Sequence, residues 1–400
     1  MKYRDSSLDW VIIGGGIHGT HIANMLLVNG YTTNSDIRIV DPAEQLLDSW
    51  KTVTSSVGMQ FLRSPGVHHI DSDSFSLFSF AEDQFCGDKC FLSPNDRPSL
   101  SLFNAHSDAV LSSSGLNSIH LQDYVSGIET GERSHRVLTS CGELYARNVL
   151  IATGQTDSLF WPDWARKALH DGADIQHVLD PGFDKSTIPE SGEVVVIGGG
   201  ISAVQTALSL CTERRKIRLI SPHPLRLNNY DADPGWMGPK YLSSYARIKS
   251  AQKRRSVINE ARNSGTITHE LRHEFVQSQK KGASTFQVDL TERCSVMANN
   301  LMLLNLASGK KAGANSIILA TGYSKSRPGG NLIDKLINRY RLKTSKCGYP
   351  VTDKYLQWYG RLFLSGALAE LEVGPASRNI IGARIAARNL IKSFSKHAAA

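Results

Sequence analysis

No apolar run in this 400-residue chain approaches the roughly 20 residues needed to cross a bilayer, and no signal-type apolar segment stands near residue 1. A soluble, cytoplasmic chain with no integral membrane segment is therefore expected. Cysteine is scarce: Cys86, Cys90, Cys141, Cys211, Cys294 and Cys347, none of them in Cys-x-x-Cys. Cys86 and Cys90 form the only close pair. Without a second pair or a flanking histidine they predict ordinary reduced thiols and no metal site. Acidic residues are outnumbered, 37 against 45 Lys and Arg, for a formal net charge of +8. Part of the excess lies in 247–281, which contains Arg247, Lys249, Lys253, Arg254 and Arg255. Glu260, Glu270 and Glu274 interrupt that stretch, and no aromatic-interleaved recognition motif accompanies it. A solvated helical face is the expectation, with no nucleic-acid partner.

What the chain does have is two glycine fingerprints. Gly14-x-Gly16-x-x-Gly19 follows the apolar run Trp10–Ile13, and Gly198-x-Gly200-x-x-Ala203 follows Val194–Ile197. Each reads as a buried parallel strand, a tight turn and the start of a helix. The first glycine permits the turn, the second lets a pyrophosphate approach the backbone, and the third position lets helix pack on strand. The amides at Ile17 and His18, and at Ser202 and Ala203, would then face phosphate. A second strand, Ile37–Val40, ends in Asp41, 22 residues beyond Gly19, where a ribose hydroxyl needs an acceptor. The corresponding strand after the second fingerprint, Ile217–Ile220, ends at Ser221 instead. With Arg214 and Arg226 nearby as phosphate candidates, this favours NADPH over NADH.

A second echo accompanies the first. Ala152-Thr153-Gly154 and Ala320-Thr321-Gly322 each close an apolar strand, one after each fingerprint. Small residues at a strand end let backbone approach another segment or a cofactor. The expected fold is α/β with two Rossmann-like dinucleotide-binding domains. Residues 1–155 form the first part of the first dinucleotide-binding domain, 190–322 an inserted second one, and 323–400 the C-terminal part of the first. Residues 155–190 read as a Pro- and Trp-marked connection. Residues 46–115 read as an ordered insertion in which Phe75, Leu77, Phe78 and Phe80 need burial.

The pattern resembles the two-dinucleotide-binding flavoproteins, and more narrowly the lysine and ornithine N-hydroxylating monooxygenases. Trp50 followed by Gly58-Met59-Gln60-Phe61-Leu62 is similar to that family's tryptophan and Met-Gln pair beside the flavin. Ile318–Tyr323 resembles its Ala-Thr-Gly-Tyr signature, and Leu225–Pro234, with Asp231 and Asp233, its stretch after the NADPH loop. The resemblance implies that FAD sits on the first loop and NADPH on the second. Trp50 and Gln60 would lie beside the isoalloxazine, with Gly366, Gly374, Pro375 and Ala376 at its pyrimidine end and Thr321, Gly322 and Tyr323 lining the cofactor cleft. A helix beginning at Pro375 would direct free amides there.

The chain also departs from the family. The family's substrate-binding lysine is replaced by Pro65, with Arg63 the nearest base, and Asn228 and Asn229 are the nearest substitutes for its ornithine-binding asparagines. The implied activity is hydride transfer from NADPH to FAD, then oxygenation through a hydroperoxyflavin of a small nucleophile, an amine nitrogen first. A small-molecule substrate and O2 are the expected partners, and homo-oligomerisation is left open. Two rival readings stand beside it: a flavin reductase of a disulfide or quinone, and a non-catalytic nucleotide-binding sensor. His18 and His21 are expected to pack or cap, and His68-His69 to be loop histidines, exposed unless they serve the site.

Overall fold

The computed structural model describes residues 7–84, 90–131, 133–297 and 301–395. β1 (Leu8–Ile13) is apolar and buried along its last four residues because it is a central parallel strand. It pairs in parallel with β2 (Ile37–Asp41) on one side and with Glu143–Ile151 on the other. The sheet extends through His120–Gln122 at one end and through Leu362–Leu364 and Gln357–Tyr359 at the other. A second sheet, wholly parallel, has the order Ser284–Val288, Arg215–Ser221, Gly192–Ile197, Ser316–Leu319, Ile175–His177. Every strand of the second sheet lies in sequence between Ile151 and Gln357, so the chain leaves the first sheet, builds the second, and returns.

The strand Ile175–His177 pairs with Ser316–Leu319 (Ile175↔Ile317), so the second unit begins ahead of the expected residue 190. Three residues are too few to carry a period-2 signal, and the preceding helix Asp163–His170 buries only Ala165 and Ala168. In the 46–115 segment Leu77 is fully buried, but Phe75 is 65% exposed, contrary to the expected burial of all four apolar side chains. Cys90 is half-buried, and its expected companion Cys86 lies outside the described residues. Among the described residues no helix is long and apolar enough to cross a membrane.

Two parts of the chain repeat one construction. Gly14 N–H donates to Val40 O at 2.9 Å and Ala152 N–H to Ile13 O at 2.8 Å; Gly198 N–H donates to Ile220 O at 2.9 Å and Ala320 N–H to Ile197 O at 2.8 Å. A Cβ at Gly14 would lie 2.4 Å from Ala152 O, and a Cβ at Gly198 would lie 2.4 Å from Ala320 O. The first glycine of each fingerprint is thus required by the alanine of each Ala-Thr-Gly. Both glycines also have φ in the region that disfavours side chains, +110° and +150°.

The basic 247–281 stretch is not simply a solvated face. The helix Ala251–Ala261 turns Arg254 toward Glu372 and Arg255 toward Glu370, and Arg262 follows at its end. His68 and His69 are buried rather than exposed: His69 packs edge-on against His106 with ring centroids 4.8 Å apart, and Arg384 donates to His69 O at 3.2 Å.

Burial holds several imidazoles neutral. His21 is pushed down to about 3, and His68, His69, His135 and His177 to about 4. Their unfolded-state value is 6.5. Below that pH the unfolded chain takes up protons the folded chain refuses. The melting temperature should therefore be highest above pH 7 and fall progressively from pH 6.5 towards 4. A calorimetric profile flat over that range would contradict it.

Candidate functional site

The helix α1 (Ile17–Val28) starts at Gly16, and Ile201–Leu210 starts at Gly200; neither start has a side-chain cap or an acidic residue in its first turn. Their first amides are thus left for another acceptor, with the positive end of each helix dipole behind them. A Cβ at Gly16 would meet nothing within 4 Å, whereas one at Gly19 would lie 1.9 Å from Gly14 O. Gly16 therefore keeps space open, while Gly19 keeps the helix packed on its strand. At the second loop Ala203 is fully buried in the Gly19-equivalent place. A Cβ at Gly200 would come 3.3 Å from Gly265 Cα, so this loop is roofed by the Asn263–Gly265 turn.

Asp41 is fixed by the first loop. Its Oδ2 accepts from Gly15 N–H at 2.6 Å and its Oδ1 from Ala43 N–H at 2.9 Å. A carboxylate has lone pairs beyond these two, so this anchoring is compatible with a further acceptor role. Ser221, fully buried, lies under the second loop and donates to His223 O at 2.7 Å.

Two cavities adjoin these loops. One, of about 510 Å³, is walled by Gly198–Ser202, Thr321 and Gly322, with Phe160, Trp164, Leu290 and His223 around its mouth. Arg226 Nη2 lies 3.1 Å from His223 Nε2 and donates to Ser264 O at 3.0 Å, placing it beside this cavity. Arg214 is elsewhere. Its neighbour Arg215 pairs with Gly192 at the start of the sheet, while the loop follows Ile197↔Ile220 at the far end, roughly 17 Å away at strand rise. The expectation that Arg214 meets a ligand phosphate therefore fails, because strand direction puts it at the wrong edge. Tyr323 bridges to Leu159 and is 36% exposed, outside the cavity wall.

The second cavity, of about 250 Å³, lies between the two helix starts: Ile17 and His18 wall it from one side and Ile201 from the other. Trp50, Met59, Phe61 and Leu62 supply an apolar flank. Trp50 is positioned by an Nε1–H···Oδ1 bond of 3.2 Å to Asn104 and by packing on Phe103. Gln60 is exposed and is not in the wall, although Met59 and Phe61 on either side of it are. Its side chain faces solvent, against the expected role beside the ring. Gly58, at φ +74°, lets this segment close on the inserted unit, since a Cβ there would be 2.4 Å from Ser209 Cβ.

His18 Nδ1 is 2.8 Å from Ser365 Oγ, and burial pushes the ring down to about 4, so it is neutral. Gly366, at φ +62°, brings backbone near the same ring, 3.9 Å from where its Cβ would be. Gly154, at φ +72°, ends the other strand with open space around it. Pro375 opens only one turn of 3-10 helix, Pro375–Arg378, with Pro375 and Ala376 buried, and no α-helix begins there. Ser377 N–H donates within that turn to Gly374 O. The helix begins at Ile380, and it is Arg378, Asn379 and Ile380 that wall the cavity. The proline signalled a helix start correctly in kind but five residues early.

Arg63 stands between the cavities, in the wall of both. It donates to Asn229 O at 3.1 Å, Asn228 O at 2.6 Å, Thr266 Oγ1 at 2.8 Å and Asp231. Asn228 and Asn229 thus meet Arg63 through their backbone, as part of a clamp between the two units. Arg378 was not legible in the sequence: its partners Glu370, Gln155 and Tyr349 come from three separate segments.

Residues 94–290 match the family profile described as pyridine nucleotide-disulphide oxidoreductase. No curated protein matches the chain. Among solved structures it is similar to the FAD-bound cadaverine monooxygenase of desferrioxamine biosynthesis from Erwinia amylovora: 13% identity, TM-score 0.77, 98% of this chain and 95% of that one. It is also similar to ornithine hydroxylase from Pseudomonas aeruginosa: 16% identity, TM-score 0.76, 98% and 100% covered. Bacillithiol disulfide reductase from Bacillus cereus follows at 15% identity and TM-score 0.62, with 98% and 100% covered. At such identities the likeness establishes the two-sheet fold shared with these enzymes.

The glycine geometry predicts unequal effects of one substitution. Gly14→Val and Gly198→Val should each lower unfolding free energy by more than about 2 kcal/mol, through backbone strain and the clash with a carbonyl. Gly16→Val should stay within about 1 kcal/mol of the parent, since only a cap preference is lost. Denaturant titration of the three variants checks the order.

Proposed function

We propose that the protein is an FAD-dependent, NADPH-using monooxygenase acting on a small soft nucleophile, an amine nitrogen first. The observation that carries this reading is the convergence of two uncapped helix starts on one cavity, with Ile17 and His18 on one side of it and Ile201 on the other. The first loop fits FAD: Gly16 leaves an open cradle, and the buried His18 Nε2 has no hydrogen-bond partner among the described residues. The second loop fits NADPH: Ser221 replaces a ribose-binding acid, and Arg226, which donates to His223 Nε2 and Ser264 O beside the cavity, is the cation available to a 2′-phosphate.

Bound FAD would supply hydride acceptance from NADPH and activation of O2. The chain would supply the rest. Trp50, Met59, Phe61 and Leu62 exclude water, which protects a reactive oxygen donor. His18, tied at Nδ1 to Ser365, presents an uncharged ring to the cavity wall. The helix starting at Ile380 adds partial positive charge. The similar fold of a disulfide reductase keeps that chemistry as the alternative. Among the described residues no cysteine walls the central cavity, which favours oxygen transfer.

Gly16→Val protein should purify folded and colourless, whereas the parent should purify yellow. Arg226→Ala should lower the preference for NADPH over NADH by at least about tenfold, as expected for losing one charge-assisted phosphate contact. Reduced holoenzyme mixed with O2 and NADP+ in a stopped-flow spectrometer should reoxidise through a long-lived species. A single-step return to the oxidised spectrum, with turnover abolished by Cys86→Ser/Cys90→Ser, would overturn the monooxygenase reading in favour of the reductase.

A further inference from the structure

Behind the central cavity lies a charge imbalance. Glu370 is fully buried, and three guanidinium groups converge on it: Arg255, Arg262 at 3.1 Å and Arg378 at 2.9 Å. Their side chains are 10%, 15% and 22% exposed. One carboxylate cannot neutralise three cations. The adjoining Arg254 is matched separately by Glu372, and the nearby Asp231 by Arg63. Among the described residues no second carboxylate pairs with the three arginines, so two positive charges are held in surplus. The remaining contacts are neutral: Tyr349 OH accepts from Arg378 at 3.1 Å and from Arg255 at 3.3 Å, and Gln155 Oε1 accepts from Arg378 at 3.2 Å. The Arg255 guanidinium also lies over the Tyr349 ring, 4.2 Å from its centroid.

Arginine does not shed its proton at neutral pH to relieve such a cluster. Buried charge of one sign calls for a counter-charge. The surplus is directed one way, because Arg378 is the only member of the three in the wall of the central cavity. The cavity's other cationic side chain, Arg63, is already matched by Asp231 and directed to Asn228, Asn229 and Thr266. His18, across the cavity, is neutral.

We propose that Arg378, backed by Arg255 and Arg262, stabilises negative charge on the occupant of this cavity, and that the occupant is the reduced flavin, whose pyrimidine end carries an anion once its ring is reduced. This rests on the FAD reading above. Arg378 touches the cofactor; Arg255 and Arg262 are positioning residues that act through Glu370 and the summed field. The surplus lies beside Ile17 and His18 at the start of the first loop's helix and beside the 375–380 segment, which favours the flavin over a substrate carboxylate.

The test is the protonation of the reduced flavin in substrate-free holoenzyme, read from its absorbance between pH 5 and 9. The parent should keep the anionic form to a lower pH than Arg378→Gln. That variant should raise the ionisation pH by about one unit, a tenfold fall in the ratio of anionic to neutral reduced flavin at fixed pH. Arg378→Lys should stay near the parent, since charge is retained. Arg262→Gln, remote from the cavity wall, should shift in the same direction by less, and serves if Arg378→Gln fails to fold. A merely structural role would not follow charge in this way. Unchanged ionisation in both Gln variants overturns the proposal. If ionisation is unchanged but Arg378→Gln weakens lysine binding tenfold relative to cadaverine, which lacks the carboxylate, the anion is a substrate carboxylate and the flavin assignment is overturned. A parent protein that binds no FAD at all fails the underlying functional reading instead, before any variant is compared.

Discussion

Glu370 lies at the joint of the molecule. Arg255 and Arg262 come from the inserted unit, and Glu370 and Arg378 from the segment that returns to the first sheet. Arg262 also donates to Pro375 O at 3.1 Å, Arg254 to Leu371 O at 2.9 Å, and Tyr245 OH to the same carbonyl at 2.9 Å. Apolar contact alone would permit sliding, whereas these directional, charge-assisted bonds fix how one unit meets the other. Removing the carboxylate would leave three buried cations unpaired, a loss on the order of 3–5 kcal/mol. The wall of the central cavity at 378–380 is carried by this joint, so the site depends on it as much as on the glycine loops.

The loops obey a different constraint, and the two units obey it alike. In each, the strand before the loop and the strand ending in Ala-Thr-Gly are parallel neighbours, and the alanine carbonyl sits where a Cβ of the first glycine would be. The sheet thus enforces the turn, and the turn aims an uncapped helix start at the space beyond the strand ends. This is where open parallel sheets bind ligands. Because both loops face that space, Ile17 and Ile201 come to share a cavity although they lie far apart in the chain.

Arg63 illustrates how the same residue type changes meaning with context. In a linear reading it is the base nearest a missing substrate-binding lysine. In the fold it donates to the backbone of Asn228 and Asn229 and pairs with Asp231, and so ties the first unit to the second. The arginines of the basic helix undergo a similar revision. Helical periodicity placed them on a polar face, and that face proved to be turned toward two acids more than a hundred residues away.

The sequence by itself determined the local machinery. Glycine spacing, the apolar strands before each loop, Asp41 against Ser221, and the paired Ala-Thr-Gly endings are short-range patterns whose physics is contained within a few residues. They specify two Rossmann-like units and which loop resembles which. The tertiary structure decided everything that depends on distant partners. It placed Arg214 at the wrong end of its strand and turned Gln60 out of the cavity wall. It moved the helix start from Pro375 to Ile380 and buried His68 and His69. It also brought Arg255 and Arg262 to Glu370 and Arg378, a meeting with no linear signature because an ion pair across a hundred residues leaves no periodicity in the chain.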